Sequence, residues 1–136
     1  MTKCPFCNLD KEEIVHTSKD VVTIKSKWES APGHLLVVPK RHVSRLGSLQ
    51  SQEYLNLFLM ARRVIDNLEF DYTIGVNDGV LAGQTVSHTH LHLIPRYEGD
   101  VEDPRGGIRW AIPKTAKYWY PQTLHKVNEH PLDVSL

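Results

Sequence analysis

Between residues 21 and 38 the apolar side chains fall in short continuous runs bounded by turn formers. Val21-Val22-Thr23-Ile24 is β-branched throughout, and His34-Leu35-Leu36-Val37-Val38 is set between Pro32-Gly33 and Pro39, so both read as largely buried strands. From Ser51 the period changes: Tyr54, Leu57, Phe58, Ala61, Ile65 and Leu68 recur at helical spacing, with Ser51 as N-cap and Glu53 in the first turn. This pattern predicts the one long helix. Tyr72-Thr73-Ile74-Gly75-Val76 returns to strand character. The turn-rich segment Asn77-Asp78-Gly79-Val80-Leu81-Ala82-Gly83 follows, and His88 to Ile94 reads as a further strand that Pro95 ends. Strands on both sides of a single helix, without regular alternation, predict an α+β domain with a mainly antiparallel sheet.

Along a strand, side chains alternate between faces, so His88, His90 and His92 are predicted on one face, with Thr89, Leu91 and Leu93 on the other. Packing explains three alternating imidazoles poorly, and two chemical readings remain. Alternating histidines can ligate a catalytic metal. Alternatively, one neutral imidazole attacks phosphorus while its neighbours set its tautomer and supply protons. The preceding loop favours the nucleophile. Gly83-Gln84-Thr85 brings mobile backbone, an amide and a hydroxyl, all suited to phosphate oxygens, and no acidic residue lies between Gly79 and Tyr97 to serve a hydrolytic metal.

Composition narrows the partners. In 136 residues, 16 Lys+Arg balance 16 Asp+Glu, so no long-range field favours nucleic acid or an anionic membrane, and phosphate recognition has to be local. The length suits one domain spanning 1–136, with a core at about 4–97 and an irregular arm at about 98–136 that holds Trp110 and Trp119. The N-terminus lacks the apolar stretch of a signal peptide, and the run Leu35 to Val38 is far too short to span a bilayer. A cytoplasmic protein without membrane or nucleic-acid partners is expected.

The run His88-Thr89-His90-Leu91-His92-Leu93-Ile94 resembles the signature of the histidine-triad (HIT) superfamily, with Thr89 polar where an apolar residue is usual. Pro32-Gly33-His34-Leu35-Leu36-Val37-Val38-Pro39, the helix, and Asn77-Asp78-Gly79 through Gly83-Gln84-Thr85 fall in the family's order, so the resemblance covers roughly Cys4 to Tyr97. It implies a five-stranded antiparallel sheet with helical segments, usually a homodimer, binding a nucleotide with its α-phosphate at the histidines. By that likeness His90 is the nucleophile, His92 contacts the phosphate or the departing group, and His88 completes the catalytic set. Asn77, Gln84 and Thr85 match phosphate-holding positions, and His34 matches a histidine that supports the active-site rings. Ser26 stands where relatives commonly carry Asp or Asn for the ribose, which places sugar recognition in question.

The two cysteines, Cys4 and Cys7, close too short a loop for a useful structural disulfide, which leaves metal ligation or redox chemistry. Redox motifs of this spacing follow a first strand, whereas only three residues precede Cys4, so zinc is the stronger reading. Zinc-holding relatives, including galactose-1-phosphate uridylyltransferases, imply Cys4, Cys7, His42 and His88 as the ligands of a structural Zn²⁺, with no catalytic cofactor. His16, His125 and His130 are expected on the solvated surface. Asp103-Pro104-Arg105-Gly106-Gly107-Ile108-Arg109-Trp110 resembles bacterial members near the fragile-histidine-triad branch. Arg96, Arg105 and Arg109 could serve distal phosphates or pair with nearby carboxylates.

The expected activity is hydrolysis of dinucleoside polyphosphates, or related adenine nucleotide conjugates, through a nucleotidyl-histidine. Rival readings are a nucleoside phosphoramidase or a nucleotidyltransferase and, from another class, a non-catalytic nucleotide-binding signalling module.

Overall fold

The structure is a computed structural model that describes residues 3–66 and 69–120; Leu68, His125 and His130 lie outside the described residues. It contains β1 (Ile14–Thr17), β2 (Val21–Lys25), β3 (Leu35–Pro39), α1 (Ser51–Ile65), β4 (Asp71–Gly75), β5 (Leu91–Arg96) and α2 (Pro113–Ala116), with short 3₁₀ turns at Lys11–Glu13, Leu46–Ser48, Val80–Ala82 and Gly107–Ala111. The five strands form one sheet in the order β1-β2-β3-β5-β4, and every pairing is antiparallel. Among the described residues, no helix is long and apolar enough to cross a membrane.

The two faces of the sheet carry different work. Val21 of β2, Val37 of β3, and Leu91 and Leu93 of β5 join Leu57, Met60, Ala61 and Val64 of α1 in one core. Their strand neighbours Val22, Ile24, Leu36 and Val38 form a second cluster under Phe6 and Leu9 of the N-terminal segment. The alternation of strand side chains produces this division. His92 stands opposite Leu36, which in turn stands opposite Ile24, so the imidazole belongs to the face turned away from α1.

Three expectations shift. The buried stripe of α1 is Leu57, Met60, Ala61 and Val64, whereas Phe58 is 53% exposed; the helix is rotated so that only one apolar stripe meets the sheet. The N-cap is Gln50 rather than Ser51, and Glu53 closes the first turn by accepting the Gln50 N–H at 2.9 Å while holding the Arg41 guanidinium at 2.6 and 3.1 Å. β1 is an additional edge strand whose register shifts between Ile14 and His16, and it places His16 half-buried opposite Thr23.

The last strand also differs from expectation. β5 starts at Leu91, not His88, and continues through Pro95 to Arg96. Continuing the pairing of Val37 with Leu91 would set Thr89 against Pro39, which has no N–H; the Thr89 N–H donates instead to Val43 O at 2.7 Å. Pro95 is tolerated because β3 no longer pairs beside it: the ladder to β3 ends at Leu93, and Pro95 is paired only with Tyr72 of β4. His88 and His90 therefore sit on an irregular approach to the strand, which frees their rings to point in different directions.

The chain divides into two compact units, 1–100 and 101–136. In the second, Trp110 Nε1 donates to Arg105 O, and the Arg105 guanidinium lies 4.4 Å above the Trp119 ring. Arg105 also pairs with Asp103, and Arg109 donates to Thr115 O. In the first unit Arg96 is bound to Asp100 and to Thr73 Oγ1. These arginines are engaged in local pairing.

Candidate active site

The four central histidines are each held by a partner that settles where the ring proton resides. A carbonyl oxygen only accepts, so the nitrogen against it carries the hydrogen. His90 Nδ1–H donates to His88 O at 2.8 Å, which leaves Nε2 of His90 as the bare lone pair. His88 Nε2–H donates to Pro39 O at 2.7 Å, so its lone pair is on Nδ1. The Ser30 backbone N–H donates to His34 Nδ1 at 3.1 Å. The proton of neutral His34 is therefore on Nε2, where it meets His92 Nδ1 at 2.9 Å. His92 in turn keeps its proton on Nε2, a buried atom with no protein partner among the described residues. The chain Ser30–His34–His92 thus ends in a donor that has yet to find an acceptor.

All four rings titrate below the ordinary imidazole value, chiefly because burial penalises the charged form. His92 is pushed furthest, down to about 4, by desolvation first and then by the neighbouring His90 and His34. The hydrogen bonds require His34 and His92 to be neutral, since each has a ring nitrogen that accepts, and burial favours the neutral form at His88 and His90.

His34, His90 and His92, but not His88, line a cleft of about 290 Å³. Its inner wall is apolar, from Phe6, Leu9, Ile24, Leu36 and Val86; His34, His90, His92 and Thr85 supply the polar groups, and Ser26 lies at the rim. Ser26 Oγ donates to Trp28 O at 3.2 Å, so this hydroxyl braces its own loop and offers a ligand only its lone pairs. Gln84 is absorbed by the loop too: its Oε1 accepts the Gly79 N–H and its Nε2 donates to Ser44 O and Val86 O. It presents neighbouring Thr85 to the cleft rather than reaching in itself. Asn77 is exposed on the loop after β4 and is not among the lining residues. Phe6, which carried no expectation, sets its ring edge-on to His88 and His90 at 5.8 and 5.0 Å between centroids. Its place between two cysteines was the available signal that it would be carried to the histidines.

The first histidine points elsewhere. Its Nδ1 lies 3.5 Å from Cys4 Sγ and 3.6 Å from Cys7 Sγ, and Cys7 Sγ is 3.2 Å from His42 Nδ1. The four ligand atoms of Cys4, Cys7, His42 and His88 all lie within 4.8 Å of one another, so this cluster could hold a metal ion. The donor set fits zinc: legs of roughly 2.3 Å to sulfur and 2.0–2.1 Å to nitrogen, in a tetrahedron, put neighbouring S and N roughly 3.5 Å apart. The His88 lone pair already faces the sulfurs because Pro39 takes the opposite N–H, the outer hydrogen bond that metal-binding histidines ordinarily make. Desolvation and the adjoining Cys4 thiol raise the Cys7 pKa, so a cation would be needed to hold that sulfur as a thiolate. Zinc with four protein ligands would be structural, tying the N-terminal segment to the approach of β5.

The HIT domain family matches residues 9–99, and the chain belongs to that family. An uncharacterized HIT-like protein of Methanocaldococcus jannaschii is 37% identical over 107 residues, 73% of this chain and 83% of the relative. The bis(5'-adenosyl)-triphosphatase of Dictyostelium discoideum is 43% identical over 98 residues, 68% of this chain and 66% of that protein, so the match leaves about a third of that relative uncovered. Among solved structures, a zinc-bound histidine triad family protein from Mycobacterium smegmatis superposes with a TM-score of 0.60 at 29% identity, covering 66% of this chain and 69% of the other.

Two measurements follow from this geometry. Elemental analysis of purified protein should find about one zinc per chain; Cys4→Ser should lose most of it and melt at lower temperature. Wild-type zinc content in that variant would refute the ligand set. The second concerns pH: the unfolded chain takes up protons on His92 near pH 6.5, while folded His92 resists them down to about 4. Folding stability should therefore fall as the pH is lowered from 6.5 toward 4. In urea titrations at pH 7 and pH 4.5, His92→Asn should lose less stability than wild type over this interval. An identical loss would show that the His92 ring is not held neutral.

Proposed function

We propose that this chain hydrolyses dinucleoside polyphosphates or related adenine nucleotide conjugates at the α-phosphate, with His90 as nucleophile. The observation that carries the proposal is the bond from His90 Nδ1–H to the His88 carbonyl. It leaves a neutral imidazole with its Nε2 lone pair unprotonated, on a ring that lines an apolar cleft. The relatives named above include a bis(5'-adenosyl)-triphosphatase, which favours this substrate class over phosphoramidates and over nucleotidyl transfer to a second acceptor.

In the first step His90 Nε2 bonds to the α-phosphorus and the bond from that phosphorus to the bridging oxygen breaks. His92 Nε2–H, buried and without an acceptor among the described residues, donates a hydrogen bond to the departing oxygen, and His34 holds His92 in the required tautomer. The Thr85 hydroxyl, on a loop braced by Gln84, faces phosphate oxygens. In the second step water bonds to phosphorus and gives up a proton to solvent, the N–P bond breaks with its electron pair returning to Nε2, and the nucleoside monophosphate leaves with His90 neutral again. Zinc at Cys4, Cys7, His42 and His88 would hold the backbone whose carbonyl orients His90, and supplies no step. Asn77, exposed and outside the cleft, reaches phosphate only if its loop moves on binding.

We also infer a homodimer in the cytoplasm. α1 leaves Leu55, Phe58 and Leu59 at 52%, 53% and 48% exposure, an apolar stripe at i, i+3, i+4 spacing, and β4 is a sheet edge; a second copy of the same surface would cover them. Sedimentation equilibrium should give twice the chain mass for wild type and the chain mass for Phe58→Glu. Equal masses for both would remove this assignment.

Activity separates the enzyme from a binding module. His90→Ala should lower kcat on diadenosine triphosphate by roughly 10⁴-fold or more, as loss of a covalent nucleophile does, while calorimetric affinity for a non-hydrolysable analogue changes by less than about tenfold. Wild-type turnover in the variant would overturn the nucleophile. Tight binding without turnover in the wild type would favour a nucleotide-binding module.

A further inference from the structure

The cleft accounts for only part of a dinucleotide. At about 290 Å³ it lies at the lower limit of roughly 300 Å³ for small-molecule pockets, so it houses one nucleoside with its phosphate at the histidines. The second nucleoside has to lie outside the walls. Beside that opening stands Trp28, 89% exposed, although tryptophan is on average among the well-buried residues. The other non-histidine aromatic lining the cleft, Phe6, is half-buried and packed against His88 and His90, so Trp28 is the lining aromatic that offers a free face to solvent.

The loop beneath Trp28 is tied at several points. The Ser26 N–H donates to His34 O and Ser26 Oγ to Trp28 O, while the Ser30 N–H donates to His34 Nδ1. Through those bonds the loop carrying the indole is fastened to the same imidazole that orients His92. Lys27 is paired with Glu13 at 3.2 Å across the rim. Lys25, on the same rim, brings the positive charge that a polyphosphate running outward would meet. Ser26, whose hydroxyl is engaged by the loop, grips a sugar less firmly than a carboxylate would.

We propose that Trp28 is the stacking platform for the base of the departing nucleotide, so that this chain selects dinucleoside polyphosphates over mononucleotide conjugates with small leaving groups. The inference rests on the hydrolase reading above and names its specificity determinant. An indole face binds any base without reading its edges, so the selection is for the presence of a second base rather than its identity.

The test compares wild type, Trp28→Ala and Trp28→Phe on diadenosine triphosphate and on adenosine 5'-phosphoramidate, whose leaving group has no base. Trp28→Ala should raise KM for the dinucleotide roughly tenfold, with kcat unchanged. Its effect on KM for the phosphoramidate should be several-fold smaller, and Trp28→Phe should restore most of the loss on the dinucleotide. An equal KM change on both substrates, or on neither, overturns the inference while leaving hydrolysis in place. Should no substrate turn over, tryptophan fluorescence with a methylene-bridged dinucleotide analogue decides. Quenching in wild type that disappears in Trp28→Phe supports the platform even though hydrolysis has failed, and quenching that is absent or unchanged overturns it.

Discussion

A peptide carbonyl can accept a hydrogen bond and cannot donate one, and the site depends on that asymmetry. Pressed against His88 O, the His90 ring must keep its proton on Nδ1, and the opposite nitrogen is left with a lone pair. The same logic at Pro39 turns the His88 lone pair toward the sulfurs; at Ser30 the converse holds, because a backbone N–H only donates, and its effect passes through two rings to leave His92 as a donor. Three imidazoles of one chemical type thereby receive three different arrangements: His88 turns a lone pair to the sulfurs, His90 is tethered through Nδ1–H, and His92 keeps a buried N–H. Burial enforces the assignments, because a neutral ring has a definite tautomer and a protonated ring has none.

The irregular approach to β5 makes this division possible. On a continuous strand His88, His90 and His92 would have projected in parallel from one face. Because Pro39 ends the ladder and Thr89 turns its N–H to Val43, His88 reaches the cysteine pair while His90 and His92 remain at the cleft, their ring centroids 4.9 Å apart. The N-terminal segment joins the two sites: Phe6 lies between Cys4 and Cys7 in the chain and against His88 and His90 in space. A cation at the thiols would act on His90 only through backbone position.

Much of this was legible in residue order. Val21–Ile24, Leu35–Val38 and the helix from residue 51 announce themselves by composition and period, and the alternating histidines single out one strand. The cysteine spacing pointed to a metal, the family resemblance added His42 and His88, and the fold does bring the four together. What escaped was decided by tertiary contacts. The edge strand Ile14–Thr17 is short and mixed in polarity, its pairing supplied by β2. Phe58 has the right spacing for a core residue, but the rotation of α1 against the sheet turns it outward. Gln84 has the right chemistry for phosphate, yet three backbone groups of its own loop and of Ser44 already use that chemistry. Nothing in the local sequence at Trp28 announces that its indole is left uncovered at the mouth of the cleft.

Long-range proton–nitrogen correlation NMR on ¹⁵N-histidine-labelled protein at pH 7 reads the ring tautomers directly. His90 should be protonated at Nδ1 alone, with Nε2 showing the shift of an unprotonated ring nitrogen, and His92 should carry its proton on Nε2. A His90 ring protonated at Nε2, or at both nitrogens, would leave no lone pair facing the cleft and would contradict the account at its root.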